Sequence, residues 1–167
     1  MHPILNIDAI EYRPSNSPPG TRRTFDAKVG LIGPHIGAQK LGYNVTVVPP
    51  GAQAFPFRAH RVNEEMLFIL EGSGEVRIGN ATHPIRQSDV IACPPGGFEA
   101  AHQIVNTSNA DRRYLAVSTK MSPEVVEYPD SGKFGVLAEF PAGADGKPQG
   151  LRFISKRDLG LGYVEGE

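Results

Sequence analysis

The sequence predicts an all-β, single-domain protein of the jelly-roll kind, on three observations. Glycine (19) and proline (15) recur along the whole chain instead of gathering in one linker, which leaves little room for long helices. Short runs rich in β-branched and aromatic residues alternate with Gly, Pro and Asn turns, a spacing typical of sandwiches and small barrels. A chain of 167 residues can also hide roughly 68–70% of its unfolded surface in one core, without staples.

Residues 1–40 are expected to wrap the core as an N-terminal arm. Its short apolar pieces (Ile4 to Ile10, Val29 to Ile32) flank the turn-rich stretch Arg13 to Gly20. Residues 41–120 carry the barrel. Leu41 to Val48 is a strand stopped by Pro49, Pro50 and Gly51. Glu65 to Glu71 follows, with Leu67 and Ile69 on one face and Met66, Phe68 and Leu70 on the other, so both faces should be covered. Gly72 to Gly74 turns the chain into Glu75 to Ile78, and Gly79-Asn80 turns it again into the piece His83 to Ile85. Val90 to Cys93 ends at Pro94-Pro95-Gly96-Gly97, and His102 to Asn106 and Tyr114 to Thr119 supply two more strands.

Residues 121–167 read as a C-terminal extension of the same domain. Pro123 to Leu137 looks like an extended return over the surface, and Leu151 to Ser155 like an edge strand. The Gly-rich end from Gly160 is expected to fray.

Seventeen Lys and Arg against eighteen Asp and Glu give a formal net charge of -1, which supplies no general attraction for nucleic acid or an anionic membrane. Basic pairs such as Arg22–Arg23 and Arg112–Arg113 read as solvated faces. No apolar stretch approaches the roughly 20 residues of a membrane span. The single cysteine, Cys93, has no intramolecular disulfide partner, and the N-terminus lacks a secretory pattern, so a cytoplasmic location is expected.

The chemistry concentrates in two stretches. In the first, Arg58, His60, Glu65 and Gly72 follow Gly51; in the second, Asp89, Pro94 and Gly96 precede His102 and Asn106. This pattern resembles the two motifs of the cupins, and in particular small bacterial single-domain members of mostly unassigned function. The resemblance implies a double-stranded β-helix. It also implies that His60, Glu65 and His102 hold a divalent metal (zinc, manganese, iron or nickel) together with a histidine at position 58. Imidazole and carboxylate suit such ions on chemical grounds too, and two histidines with one carboxylate make a facial triad.

Position 58 departs from the pattern, because arginine cannot ligate a cation. At ~6 Å and an effective dielectric of ~20, its charge opposes a divalent ion by about 5–6 kcal/mol. Three arrangements are open. Arg58 turns to solvent and leaves a three-ligand site; it stays and binds an anion bridging it to the metal; or it pairs with Glu65 and replaces the metal. The second motif also has a longer loop, which brings Glu99 toward the barrel mouth either as a catalytic base or as an ordinary polar loop residue.

His2, His35 and His83 have no companions at ligand spacing. Asn106 is expected to brace its strand, and Cys93, with no basic neighbour, is a poor nucleophile. Two function classes follow. One is a metal-dependent oxygenase or isomerase, a class that includes cupins resembling sugar-phosphate isomerases, with Arg58 orienting an anionic group of a small substrate. The other is a non-catalytic small-molecule-binding module with a metal-free site. A homodimer paired through sheet edges is expected in either case.

Overall fold

The computed structural model describes residues 3–15 and 25–166. The part of the expected turn-rich stretch Arg13 to Gly20 that follows Ser15, together with Arg22–Arg23 and His2, lies outside the described residues. In the N-terminal part, β1 (Arg13–Ser15) and β2 (Ala27–Leu31) precede a single helical turn α1 (Gly33–Ile36) and β3 (Leu41–Val48). Through the middle run β4 (Ala59–His60), β5 (Glu65–Glu71), β6 (Ser73–Ile78), β7 (Ala81–Arg86), β8 (Val90–Cys93), β9 (His102–Val105) and β10 (Arg112–Thr119). The C-terminal part holds β11 (Glu124–Tyr128), β12 (Lys133–Phe140) and β13 (Gln149–Lys156).

All strand pairs within the three sheets are antiparallel, and the sheet orders are β1-β2-β3-β10-β5-β8, β7-β6-β9 and β13-β12-β11-β4. β3 and β10 occupy the middle of the large sheet, which is why Val45 to Val48 are buried in succession instead of alternating. From β3 to β11 the chain changes sheet at every step except β6 to β7, as a rolled-up double-stranded β-helix requires. The core fills the space between them with Val48, Leu67, Ile69, Val76, Ile104 and Tyr114.

Ile69 is fully buried in that core. Ile69→Ala is expected to cost about 2–5 kcal/mol, seen as a lower urea midpoint at unchanged slope.

Pro123 to Leu137 is not a single extended return. It is a hairpin, because Pro129 opens a 3-10 turn and Gly132, at φ 62°, closes it in the left-handed region that glycine adopts without cost. β11 then pairs with β4, setting Val126 opposite His60 and Glu127 opposite Ala59. The extension thereby becomes a wall of the site. β13 lies at the edge of that sheet with Leu151, Phe153 and Ile154 exposed.

Candidate functional site

The segment from Phe57 to His60 alternates cleanly. Phe57 and Ala59 bury themselves against Ala101, with the Phe57 ring edge-on to Phe98 at 5.9 Å and the Arg77 guanidinium 3.6 Å over its face. Arg58 and His60 therefore share the opposite face. Arg58 is locked in register with His102 by reciprocal backbone bonds, Arg58 N–H to His102 O at 3.2 Å and His102 N–H to Arg58 O at 2.8 Å. Glu65 opens β5 opposite Cys93. Three separate stretches of chain thus deliver Arg58, His60, Glu65 and His102 to one place.

One oxygen is the focus. Glu65 Oε2 accepts from Arg58 Nη2 at 3.0 Å, and His102 Nε2 and His60 Nε2 stand 2.9 Å and 3.3 Å from it. Arg58 Nε also donates to His60 Nε2 at 3.3 Å. Burial alone would raise the Glu65 pKa, but the Arg58 charge and the hydrogen bond with His102, with a smaller contribution from the neighbouring His60, outweigh it. They hold the carboxyl well below its usual value of 4.5. Glu65 is an ionised anchor and a weak base.

His102 carries a further constraint. Its Nδ1 lies 3.2 Å from the Ala100 carbonyl, so both ring nitrogens face oxygen acceptors. A neutral imidazole can donate to only one; the imidazolium form, or a cation between Nε2 and Oε2, satisfies both.

Glu99 stands apart from this cluster. It sits on the exposed 3-10 turn Phe98–Ala100, and its Oε1 accepts the Gly97 N–H at 2.8 Å. That bond, with lesser help from the Arg61 charge, lowers its pKa, which makes it a poor base at neutral pH. Together with His102 and Cys93 it lines a cavity of about 220 Å³. Burial, with the Glu65 charge, pushes the Cys93 thiol up to about 12 against the opposing effect of Arg58, in keeping with an inert cysteine. Asn106 braces its loop by donating to the Val48 and Ala110 carbonyls.

Two residues of the site carry no signal in the sequence. Glu124, at the start of β11, is buried and accepts the backbone N–H groups of Arg61 (3.1 Å), Val62 (3.2 Å) and Asn63 (2.8 Å), and the Asn63 side-chain amide. Its Oε2 lies 3.6 Å from His60 Nδ1. Asn63 in turn accepts from Thr119 Oγ1 and Met121 N–H, tying the loop between β4 and β5 to the end of β10. A cavity of about 230 Å³ opens beside His60 and Glu65, its other walls including Asn63, Lys120, Glu124 and Glu139.

Residues 44–118, which hold every member of the Arg58 cluster, match the family model described as Cupin domain. This segment is a cupin domain. Over 72 residues the chain is 31% identical to an uncharacterized protein of Methanocaldococcus jannaschii; the match takes in 43% of the chain and 54% of that protein, so the chain spans about half the length of its curated relative. A solved structure described as a sugar phosphate isomerase of the cupin superfamily, from Silicibacter pomeroyi, superposes with a TM-score of 0.74 at 24% identity over 94% of both chains. The polyketide cyclase of Streptomyces resistomycificus superposes with a TM-score of 0.58 at 18% identity, covering 74% of this chain and 84% of that one. Likeness at these identities shows the fold alone.

Cupin domains commonly bind divalent metals. Here the donor set is present, but in this arrangement it does not fit an ion. The Glu65 oxygen that both imidazoles face is bonded to a guanidinium at 3.0 Å, and an ion within ~4 Å of that charge would be opposed by roughly 8 kcal/mol at an effective dielectric of ~20. Among the described residues no group of three His, Cys, Asp or Glu side chains is arranged to hold a metal. Of the three arrangements open to Arg58, the one seen is pairing with Glu65. Among the described residues no helix is long and apolar enough to cross a membrane.

Proposed function

We propose that the cupin domain binds a small, hydroxyl-bearing molecule in the cavity beside His60 and Glu65, without a metal. One observation carries this reading: the Arg58 guanidinium is bonded to the Glu65 oxygen on which both histidines converge, so the protein's own cation stands where a metal would be needed. The cavity, at about 230 Å³, suits a ligand smaller than the usual occupants of pockets of roughly 300–1,000 Å³. Its walls set the Lys120 ammonium as a donor and the Glu65 and Glu139 carboxylates as acceptors among apolar Met121, Val126 and Leu137, a mixture that suits a ligand with hydroxyl groups on a carbon skeleton. Sugar phosphates are the class to try first, on the name of the Silicibacter pomeroyi relative.

A competing reading, with Arg58 turned out and His60, Glu65 and His102 holding zinc, manganese, iron or nickel, is favoured by the two acceptors around His102, which a cation would reconcile. Metal analysis by mass spectrometry of protein prepared without a metal-binding tag separates the two. The metal-free reading expects far less than one equivalent of any transition metal, and saturation-transfer NMR contacts from ribose 5-phosphate or glucose 6-phosphate that vanish in His60→Ala. Near-stoichiometric metal that His60→Ala removes would overturn it.

A further inference from the structure

We propose that Glu124, which lies outside the segment matching the cupin model, is a positioning residue: it holds His60 as the Nδ1–H tautomer and so presents the Nε2 lone pair to the site. His60 is set between contacts that ask for this form. On its inner side, Nε2 receives a hydrogen bond from Arg58 Nε at 3.3 Å, and a guanidinium can only donate. The inner nitrogen must therefore carry a lone pair. On its outer side, Nδ1 is buried with no hydrogen-bond partner within 3.5 Å, and the group it faces is Glu124 Oε2, at 3.6 Å. A carboxylate can only accept, so the outer nitrogen carries the proton, and a few tenths of an ångström of movement closes the bond.

The remaining charged neighbour, Glu65 Oε2 at 3.3 Å from Nε2, favours the opposite tautomer, but Arg58 Nη2 already donates to that oxygen. Glu124 is held in place for its task. Its two oxygens receive three successive backbone N–H groups and the Asn63 amide, so it cannot turn away from His60 without unmaking the loop between β4 and β5. An imidazole oriented by a carboxylate on its far nitrogen is a better acceptor on its near one, toward a substrate proton or any other electrophile.

The inference depends on where the site lies but not on its being metal-free. Metal content tests the one, and the ring nitrogens of His60 test the other. Long-range proton–nitrogen correlation spectra of the 15N-labelled full chain, with His60 assigned by its loss in His60→Gln, are expected to show a protonated Nδ1 and an unprotonated Nε2. In Glu124→Gln, an amide N–H replaces the oxygen facing Nδ1, and the proton is expected to move to Nε2. An Nε2–H form or an even mixture in the wild type overturns the proposal, as does an unchanged spectrum in a folded Glu124→Gln. Should that variant not fold, Arg58→Met/Glu65→Met decides, because it removes the arginine donor and the competing carboxylate together: Nδ1–H that survives supports Glu124, and its disappearance overturns it.

Discussion

Arg58→Met is expected to lower the free energy of unfolding by roughly 3–5 kcal/mol at pH 7, the cost of leaving one member of a buried ion pair without its partner. The side chains of Arg58 and Glu65 are 18% and 12% exposed, so water can solvate the stranded carboxylate only poorly. His102 remains against the same oxygen and keeps the loss toward the lower end of that range. For a domain of this length each kcal/mol is worth about 2–4 °C, so a fall of about 6–20 °C in melting temperature is expected. A change within 0.5 kcal/mol, the usual scale of a surface substitution, would show that Arg58 is turned to solvent and would remove the basis for a metal-free site.

The same pair sets a pH dependence with a definite sign. The folded Glu65 carboxyl lies below its usual value of 4.5, so its contribution is fully present above about pH 4.5 and is lost as pH falls through the lowered value. In Arg58→Met the principal lowering cause is gone and burial counts for more, so protonating Glu65 relieves strain in the variant while it removes an attraction from the wild type. The stability gap between the two proteins is therefore expected to narrow on acidification below about pH 4.5. Urea denaturation of both proteins at pH 7, 5 and 4 measures it. A gap that stays constant would mean that Glu65 is not the group Arg58 neutralises.

Arg58→His is expected to convert the cluster into a zinc site. The substitution removes the opposing charge and supplies a third imidazole from the strand face that already carries His60, beside Glu65 and His102, completing a set of nitrogen and oxygen ligands that suits zinc. Zinc at a hundred times its dissociation constant would stabilise the variant by about 2.7 kcal/mol. That corresponds to a rise of about 5–11 °C in melting temperature on adding the metal, while wild type shows none. Calorimetric titration of both proteins checks the stoichiometry. Equal zinc binding by wild type and variant would establish that His60, Glu65 and His102 already suffice with Arg58 displaced.

The strands and the identity of the site residues could be read in the chain because both rest on local patterns. β3, β5 and β8 run over the same residues that composition and turn chemistry predict, since each is a short run of β-branched or apolar residues bounded by Gly, Pro or charged residues. The sharing of a face by Arg58 and His60 follows from the two-residue period of extended chain, and their convergence with Glu65 and His102 was implied by the cupin resemblance. Where Arg58 would point was not legible. Solvent, a bridging anion and Glu65 were all open to it, and the outcome depends on how deeply Glu65 is buried and on the backbone pairing of Arg58 with His102 across more than forty residues.

Glu124 was likewise invisible, for a reason of topology. Nothing in its neighbours marks it, and it acquires partners only because the hairpin closed at Gly132 lays β11 along β4, bringing residues some sixty positions apart into contact. Glu99 shows the converse: its place in the sequence pointed to the barrel mouth, but the Gly97 N–H two residues away engages its carboxylate on an exposed turn. By itself the sequence determined the strands, the turns and the set of groups from which a site could be made, because those depend on interactions within a few residues. Which of them is ionised, which nitrogen of His60 faces inward with a lone pair, and which cation satisfies Glu65 were decided by the tertiary structure, because charge and hydrogen bonding in a buried place depend on every group brought there, however distant along the chain.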